Sequence, residues 1–137
     1  MKVSDVMTTD VQVIGCEGNL QQAAEMMRRC DIGSLPVSRE QRLVGMVTDR
    51  DIVVRAIAEG LGGDCPVSKV MTEDLKVCYA DQTVEEVASK MSELGVRRLP
   101  VVDRQDRLVG FMSLSNVASA DKPTATENML DGTARPH

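Results

Sequence analysis

The sequence predicts an α+β fold in which two β-α-β-β-α repeats pack through their sheets with pseudo-two-fold symmetry. Three observations predict it. The chain matches itself in order along most of its length, each copy carries a capped amphipathic helix, and each copy then shows two strands separated by a polar turn.

The duplication comes first because it fixes everything after it. Laying Val3 on Val67 sets VSDVMTTDVQV over VSKVMTEDLKV, with identities at Val3/Val67, Ser4/Ser68, Val6/Val70, Met7/Met71, Thr8/Thr72, Asp10/Asp74 and Val13/Val77. The same register joins Ala24 to Ala88, Met27 to Met91, and Leu35-Pro36-Val37 to Leu99-Pro100-Val101. One extra residue in the second copy then brings Arg42–Gly45 over Arg107–Gly110, both reading RLVG. Separate blocks aligned in one order with a single slip mark a duplicated unit of roughly 55 residues.

Each copy opens with a short helical turn (Ser4–Met7; Ser68–Met71) and a brief strand (Val11–Ile14; Leu75–Cys78). Asn19 with Gln22, and Thr83 with Glu86, have the spacing of a capping box, in which side chain and backbone satisfy each other's orphan donors. Behind the caps, Leu20, Ala23, Ala24 and Met27, and likewise Val84, Val87, Ala88 and Met91, form one apolar stripe at helical spacing. The strands SLPVS and RLVGMVT follow in one copy, RLPVV and RLVGFMS in the other, around polar turns at 39–41 and 103–106. A last helix is expected over 49–59 and over 114–119. These readings give repeat 1 with its linker at 1–66, repeat 2 at 67–120, and a flexible polar tail at 121–137. The linker glycines 60, 62 and 63 are not followed by GK[ST] and are read as a connection, not a phosphate loop.

Composition narrows the function classes. The 137 residues carry a net charge of −5, no Trp, one Tyr (Tyr79), one Phe (Phe111) and nine Met. Nucleic-acid grooves need positive charge and stacking rings, so no nucleic-acid partner is expected. The absence of an 18-residue apolar run and of an amino-terminal apolar segment points away from a membrane and towards the cytoplasm. Four scattered cysteines (Cys16, Cys30, Cys65, Cys78) and a single terminal histidine, His137, give no zinc-ligand spacing, so no metal is expected. Nothing pairs a nucleophile with a base, and no enzyme activity is expected.

Two stretches carry the chemistry. GMVTDRD (45–51) sets Thr48 and Asp51 where a strand passes into a helix, and RLVGFMSLSN (107–116) sets Ser113 and Asn116 at the matching place. A helix start offers unpaired N–H groups and partial positive charge to a phosphate. A Thr hydroxyl can add a hydrogen bond, and an Asp three residues on can accept ribose hydroxyls. The same spacing is also a helix cap, and the two readings are compatible in the empty protein.

With GVRRLPVVD (95–103), these motifs resemble the paired cystathionine-β-synthase (CBS) domain, or Bateman module, over residues 3–120. The chain is most similar to bacterial stand-alone pairs with no attached enzyme or channel. That resemblance implies a regulatory sensor that binds AMP, ADP, ATP, S-adenosylmethionine or NAD at the cleft between repeats. It also implies a homodimer and an unidentified regulated protein, with no obligatory cofactor. It nominates a first site of Thr48, Asp51, Arg97 and Arg98, with Met46 and Pro100 on the base and backbone near Lys76 and Val77 reading the adenine edge. For Arg97 and Arg98 a solvated pair past a helix end is the competing reading, since side chains alternate along a strand. The second, weaker site takes Ser113, Asn116, Gly33 and Ser34, with Pro36 and Gln12 as the counterparts of Pro100 and Lys76. Asn116 departs from the family's more usual Asp. The competing function is a ligand-free interaction module.

Overall fold

The computed structural model describes residues 1–120; the expected polar tail at 121–137 lies outside them. Two three-stranded sheets carry the fold. Along the chain run α1 (Val3–Val6), β1 (Ile14–Gly15), α2 (Leu20–Cys30), β2 (Ser34–Arg39) and β3 (Arg42–Thr48). A π-helical turn (Asp51–Ala56) and 3-10 turns at Ile57–Glu59 and Val67–Lys69 precede the second set. That set is β4 (Cys78–Tyr79), α3 (Val84–Leu94), β5 (Arg98–Val102), β6 (Leu108–Ser113) and α4 (Leu114–Ala120). The sheet orders are β1-β2-β3 and β4-β5-β6, matching the two expected repeats.

Each sheet begins with a parallel pair, Ile14 opposite Val37 in one and Cys78 opposite Val101 in the other. Parallel neighbours need a long crossover, and α2 and α3 supply it. Both helices start as the sequence requires: the Asn19 side chain accepts from the Gln22 N–H and the Gln22 side chain from the Asn19 N–H, each at 2.9 Å. Thr83 and Glu86 repeat the arrangement at 3.1 and 2.8 Å. Each cap stabilises its helix by about 1 kcal/mol. Both helices end on a left-handed residue, Asp31 or Gly95. The β2–β3 turn places Glu40 and Gln41 at φ 53° and 72°, the pair of positive values that a two-residue hairpin with matching twist demands.

Several boundaries move. The leading turns start one residue early, because Val3 and Val67 are wholly buried. The strands expected at 11–14 and 75–78 shrink to two residues, since only Ile14–Gly15 and Cys78–Tyr79 find partners; Val13 is 36% exposed. The helix expected over 49–59 tightens and widens irregularly: its middle is π-helical and its end 3-10.

The compact units are drawn differently from the sequence repeats. One unit holds Val11–Lys76 with Gln105–Leu108; of the described residues the other holds Met1–Asp10, Val77–Arg104 and 109–120. The repeats have exchanged their leading segments. In the second unit, Thr8 and Phe111 trade backbone hydrogen bonds at 2.9 and 2.8 Å, and Val3 N–H donates to Gln82 C=O at 2.9 Å. In the first, Thr72 and Met46 trade them at 2.8 and 3.0 Å, and Val67 N–H donates to Gly18 C=O at 2.9 Å. Every partner in one set is the repeat counterpart of a partner in the other.

This pairing needs glycine in the RLVG motif. A Cβ on Gly110 would stand 2.7 Å from the Thr8 carbonyl oxygen and 2.8 Å from Met7 Sδ; on Gly45 it would meet Met71 Sδ at 2.5 Å and the Thr72 oxygen at 3.1 Å. Two aliphatic cores lie beneath. One gathers Leu20, Ala23, Met27, Leu35, Val37, Val47 and Val67; the other gathers Val3, Val84, Val87, Met91, Leu99, Val101 and Met112. Methionine fills space that a rigid ring cannot, which is how a chain with one Phe closes both.

Gly110→Ala is expected to lower stability by about 1–3 kcal/mol, the usual range for overpacking. Gly45→Ala should cost less, because the thioether of Met71 can swing aside and a backbone carbonyl cannot. Gly15→Ala, with nothing within 4 Å, serves as the neutral reference. Urea denaturation of the three variants checks this ranking; equal losses at 15 and 110 would refute it.

All four cysteines are free thiols, and Cys78 is fully buried. Burial pushes the Cys78 thiol up to about 11, with Lys90 pulling weakly the other way. Since the thiolate is the nucleophile, alkylation of native protein at pH 8 should modify half-buried Cys30 first and Cys78 last. Mass spectrometry of a time course reads the order.

Candidate functional site

The end of β3 places Thr48 and Asp51 as the sequence expects, on either side of a helix start. They cap each other: the Asp51 N–H donates to Thr48 Oγ1, and the Thr48 N–H donates to Asp51 Oδ2, both at 3.0 Å. That leaves Asp51 Oδ1, whose nearest cation among the described residues is Arg55 at 3.8 Å. The distance is an ion pair without a close hydrogen bond. The carboxylate is 15% exposed and Arg55 is 50% exposed, so the pair is loosely held from solvent. Thr48 uses its hydroxyl oxygen as acceptor and keeps its proton to donate.

Neighbouring strands complete this half. Ser34 sits opposite Thr48 and Pro36 opposite half-buried Met46. The Gly33 carbonyl accepts from the Asp49 N–H at 2.9 Å, and a Cβ on Gly33 would touch the Asp49 carboxylate at 3.0 Å. Lys76 and Gln12 belong to the same unit and are exposed.

The other unit holds the remaining nominees. Ser113 and Asn116 cap each other as Thr48 and Asp51 do, the Ser113 N–H donating to Asn116 Oδ1 at 2.8 Å and the Asn116 N–H to Ser113 Oγ at 3.3 Å. Asn116 Nδ2 then reaches the Val6 carbonyl at 2.9 Å, a contact that sequence reasoning missed. The signal available was the repeated Met-Thr at 7–8 and 71–72, which marks a segment with the same job twice. Arg97 is exposed, and its carbonyl accepts from the Leu114 N–H at 3.1 Å. Arg98 lies over the Phe111 ring, 4.8 Å from its centre, a cation–π contact that holds the guanidinium on that face of β5. Pro100 is buried, its carbonyl accepting from the Cys78 thiol. The Val77 carbonyl is taken by Lys90 Nζ. So the structure brings Thr48, Asp51, Met46 and Lys76 into one unit, and Arg97, Arg98, Pro100 and Val77 into the other.

The family model for the CBS domain matches residues 3–57 and 67–122. The chain belongs to the CBS domain family. Among curated proteins this CBS pair is 39% identical over 116 residues to the CBS domain-containing protein YhcV of Bacillus subtilis, covering 85% of this chain and 82% of that one. Among solved structures it resembles Hypoxic Response Protein I with two coordinated zinc ions, at 34% identity and a TM-score of 0.76 over 88% of this chain and 98% of that one. It also resembles CBSX2 in complex with AMP, at 28% identity and a TM-score of 0.73 over 87% and 94% of the two chains. A third is the CBS pair of MJ0100 in complex with 5-methylthioadenosine and S-adenosylmethionine, at 26% identity and 0.69 over 88% and 94%. The described residues include no group of three or more His, Cys, Asp or Glu able to hold a metal ion. No helix among them is long and apolar enough to cross a membrane.

Proposed function

We propose that this CBS pair is a regulatory module that takes an adenosine-containing small molecule at the Thr48–Asp51 turn. The observation that carries the reading is Asp51 Oδ1, a carboxylate oxygen at a strand-to-helix junction without a hydrogen-bond donor among the described residues. A ribose presents two adjacent hydroxyls that such an oxygen can accept. The Thr48 hydroxyl proton and the N–H groups of the helix start suit a phosphate. The complexes of CBSX2 with AMP and of MJ0100 with methylthioadenosine and S-adenosylmethionine support the ligand class.

Arg97 and Arg98 are the sequence's nominees for the phosphate, and the stacking of Arg98 on Phe111 makes Arg97 the freer of the two. The ligand acts by population shift, favouring one arrangement of the module only by its differential affinity for it. A partner protein reads the change, and no chemical step on the ligand is part of the function. We place the module in the cytoplasm.

One observation favours a protein-binding role beside the sensing role. Val53 and Ile57 are 58% and 59% exposed on the irregular helix that follows Asp51. Apolar side chains one helical turn apart in solvent suit a protein partner, either a second copy or the regulated protein.

Calorimetry and thermal shift on ligand-stripped protein, with AMP, ATP and S-adenosylmethionine in parallel, test the reading. A ligand at a hundred times its Kd stabilises the native state by about 2.7 kcal/mol, a Tm rise of roughly 5–10 °C. Asp51→Asn keeps the cap and removes the charge, and should abolish the response with little loss of intrinsic stability. The double variant Thr48→Ala, Asp51→Ala should abolish it too, at a cost of about 1 kcal/mol for the lost cap. Silence towards all three compounds in the wild type leaves only the interaction role.

A further inference from the structure

Asn116 does what its counterpart Asp51 cannot. Its amide nitrogen donates to the Val6 carbonyl at 2.9 Å and approaches the Thr8 hydroxyl at 3.5 Å, while its carbonyl accepts from the Ser113 N–H and hydroxyl, both at 2.8 Å. The Val6 carbonyl ends α1, where the last carbonyls of a helix have no partner within it. An amide supplies two donors and an acceptor together. A carboxylate could still cap α4 but would set negative charge against a carbonyl that needs a donor. The segment held this way is the one that Thr8 pairs to Phe111 and that Met7 packs over Gly110.

We infer that Asn116 is a tether for the amino-terminal segment, so that the Ser113–Asn116 turn is filled by the chain itself and the module takes one ligand instead of two. A ligand at this turn would have to break the Asn116–Val6 bond, and it would find the Asn116 carbonyl already serving two donors. The exchange of Asp51 for Asn116 between two turns with the same reciprocal cap thus separates a turn that holds a ligand from a turn that holds the chain. The stoichiometry rests on the ligand reading above; the tether does not.

Amide hydrogen exchange on the ligand-free protein tests the tether. Asn116→Asp keeps the capping acceptor and loses the donors. The amides of Val3, Met7 and Thr8 should then exchange about tenfold faster or more, the loss expected for one part-buried hydrogen bond, while Ala23 in α2 and Val87 in α3 keep their rates. Asn116→Ser, whose hydroxyl caps but falls short of Val6, is the milder variant and should show the same local change. Unaltered rates at 3–8, or a rise shared equally by α2 and α3, overturn the tether. Calorimetric titration of the wild type with AMP, ATP and S-adenosylmethionine in turn should give one equivalent per chain for the compound that binds. Two equivalents overturn the single-site statement whatever the exchange shows, and no binding of any of the three overturns the ligand reading and its stoichiometry together.

Discussion

The structure depends on a pair of short backbone bridges, Thr8 to Phe111 and Thr72 to Met46. Each adds one residue of a leading segment to the last strand of a sheet. Neither bridge is strong alone, since an exchanged pair of backbone hydrogen bonds contributes only about 1–3 kcal/mol net. What makes them decisive is the covering they bring. They lay Met7 and Met71 over Gly110 and Gly45 and accompany the burial of Val3 and Val67 to zero exposure. The leading segment of each repeat is therefore core material for the unit built on the other repeat's sheet.

That exchange explains why the chain is a duplication. A unit of this size lacks the apolar residues to finish its own core, and each copy finishes the other's. It also places the segment that ends at Thr8 beside the Ser113–Asn116 turn. The two turns carry the same reciprocal cap, Thr48 with Asp51 and Ser113 with Asn116, and the capping acceptor is a carboxylate in one and an amide in the other. The carboxylate leaves Oδ1 with only Arg55 at 3.8 Å, and the amide donates to the Val6 carbonyl at 2.9 Å.

Much of this was legible in the sequence. The capping boxes at Asn19 and Thr83, the hairpin at 39–41 and the strand-to-helix turns at Thr48 and Ser113 follow from short-range chemistry, and all stand where the pattern put them. The exchange did not follow. Self-similarity says which residues correspond, and is silent on which copy each one packs against. The strands expected over 11–14 and 75–78 pair over only two residues, because β propensity is local while ladder length depends on a partner in the other strand. Arg98 could not be assigned to a face of β5 without knowing that Phe111 waits there. The bond from Asn116 to Val6 spans 110 residues, beyond any local signal.

Cross-strand nuclear Overhauser effects on isotope-labelled protein test the exchanged leading segments most directly. Amide contacts are expected from Thr8 to Phe111 and from Thr72 to Met46. Contacts from Thr8 to Met46 and from Thr72 to Phe111 would mean that each repeat keeps its own leading segment, and the exchange would be refuted.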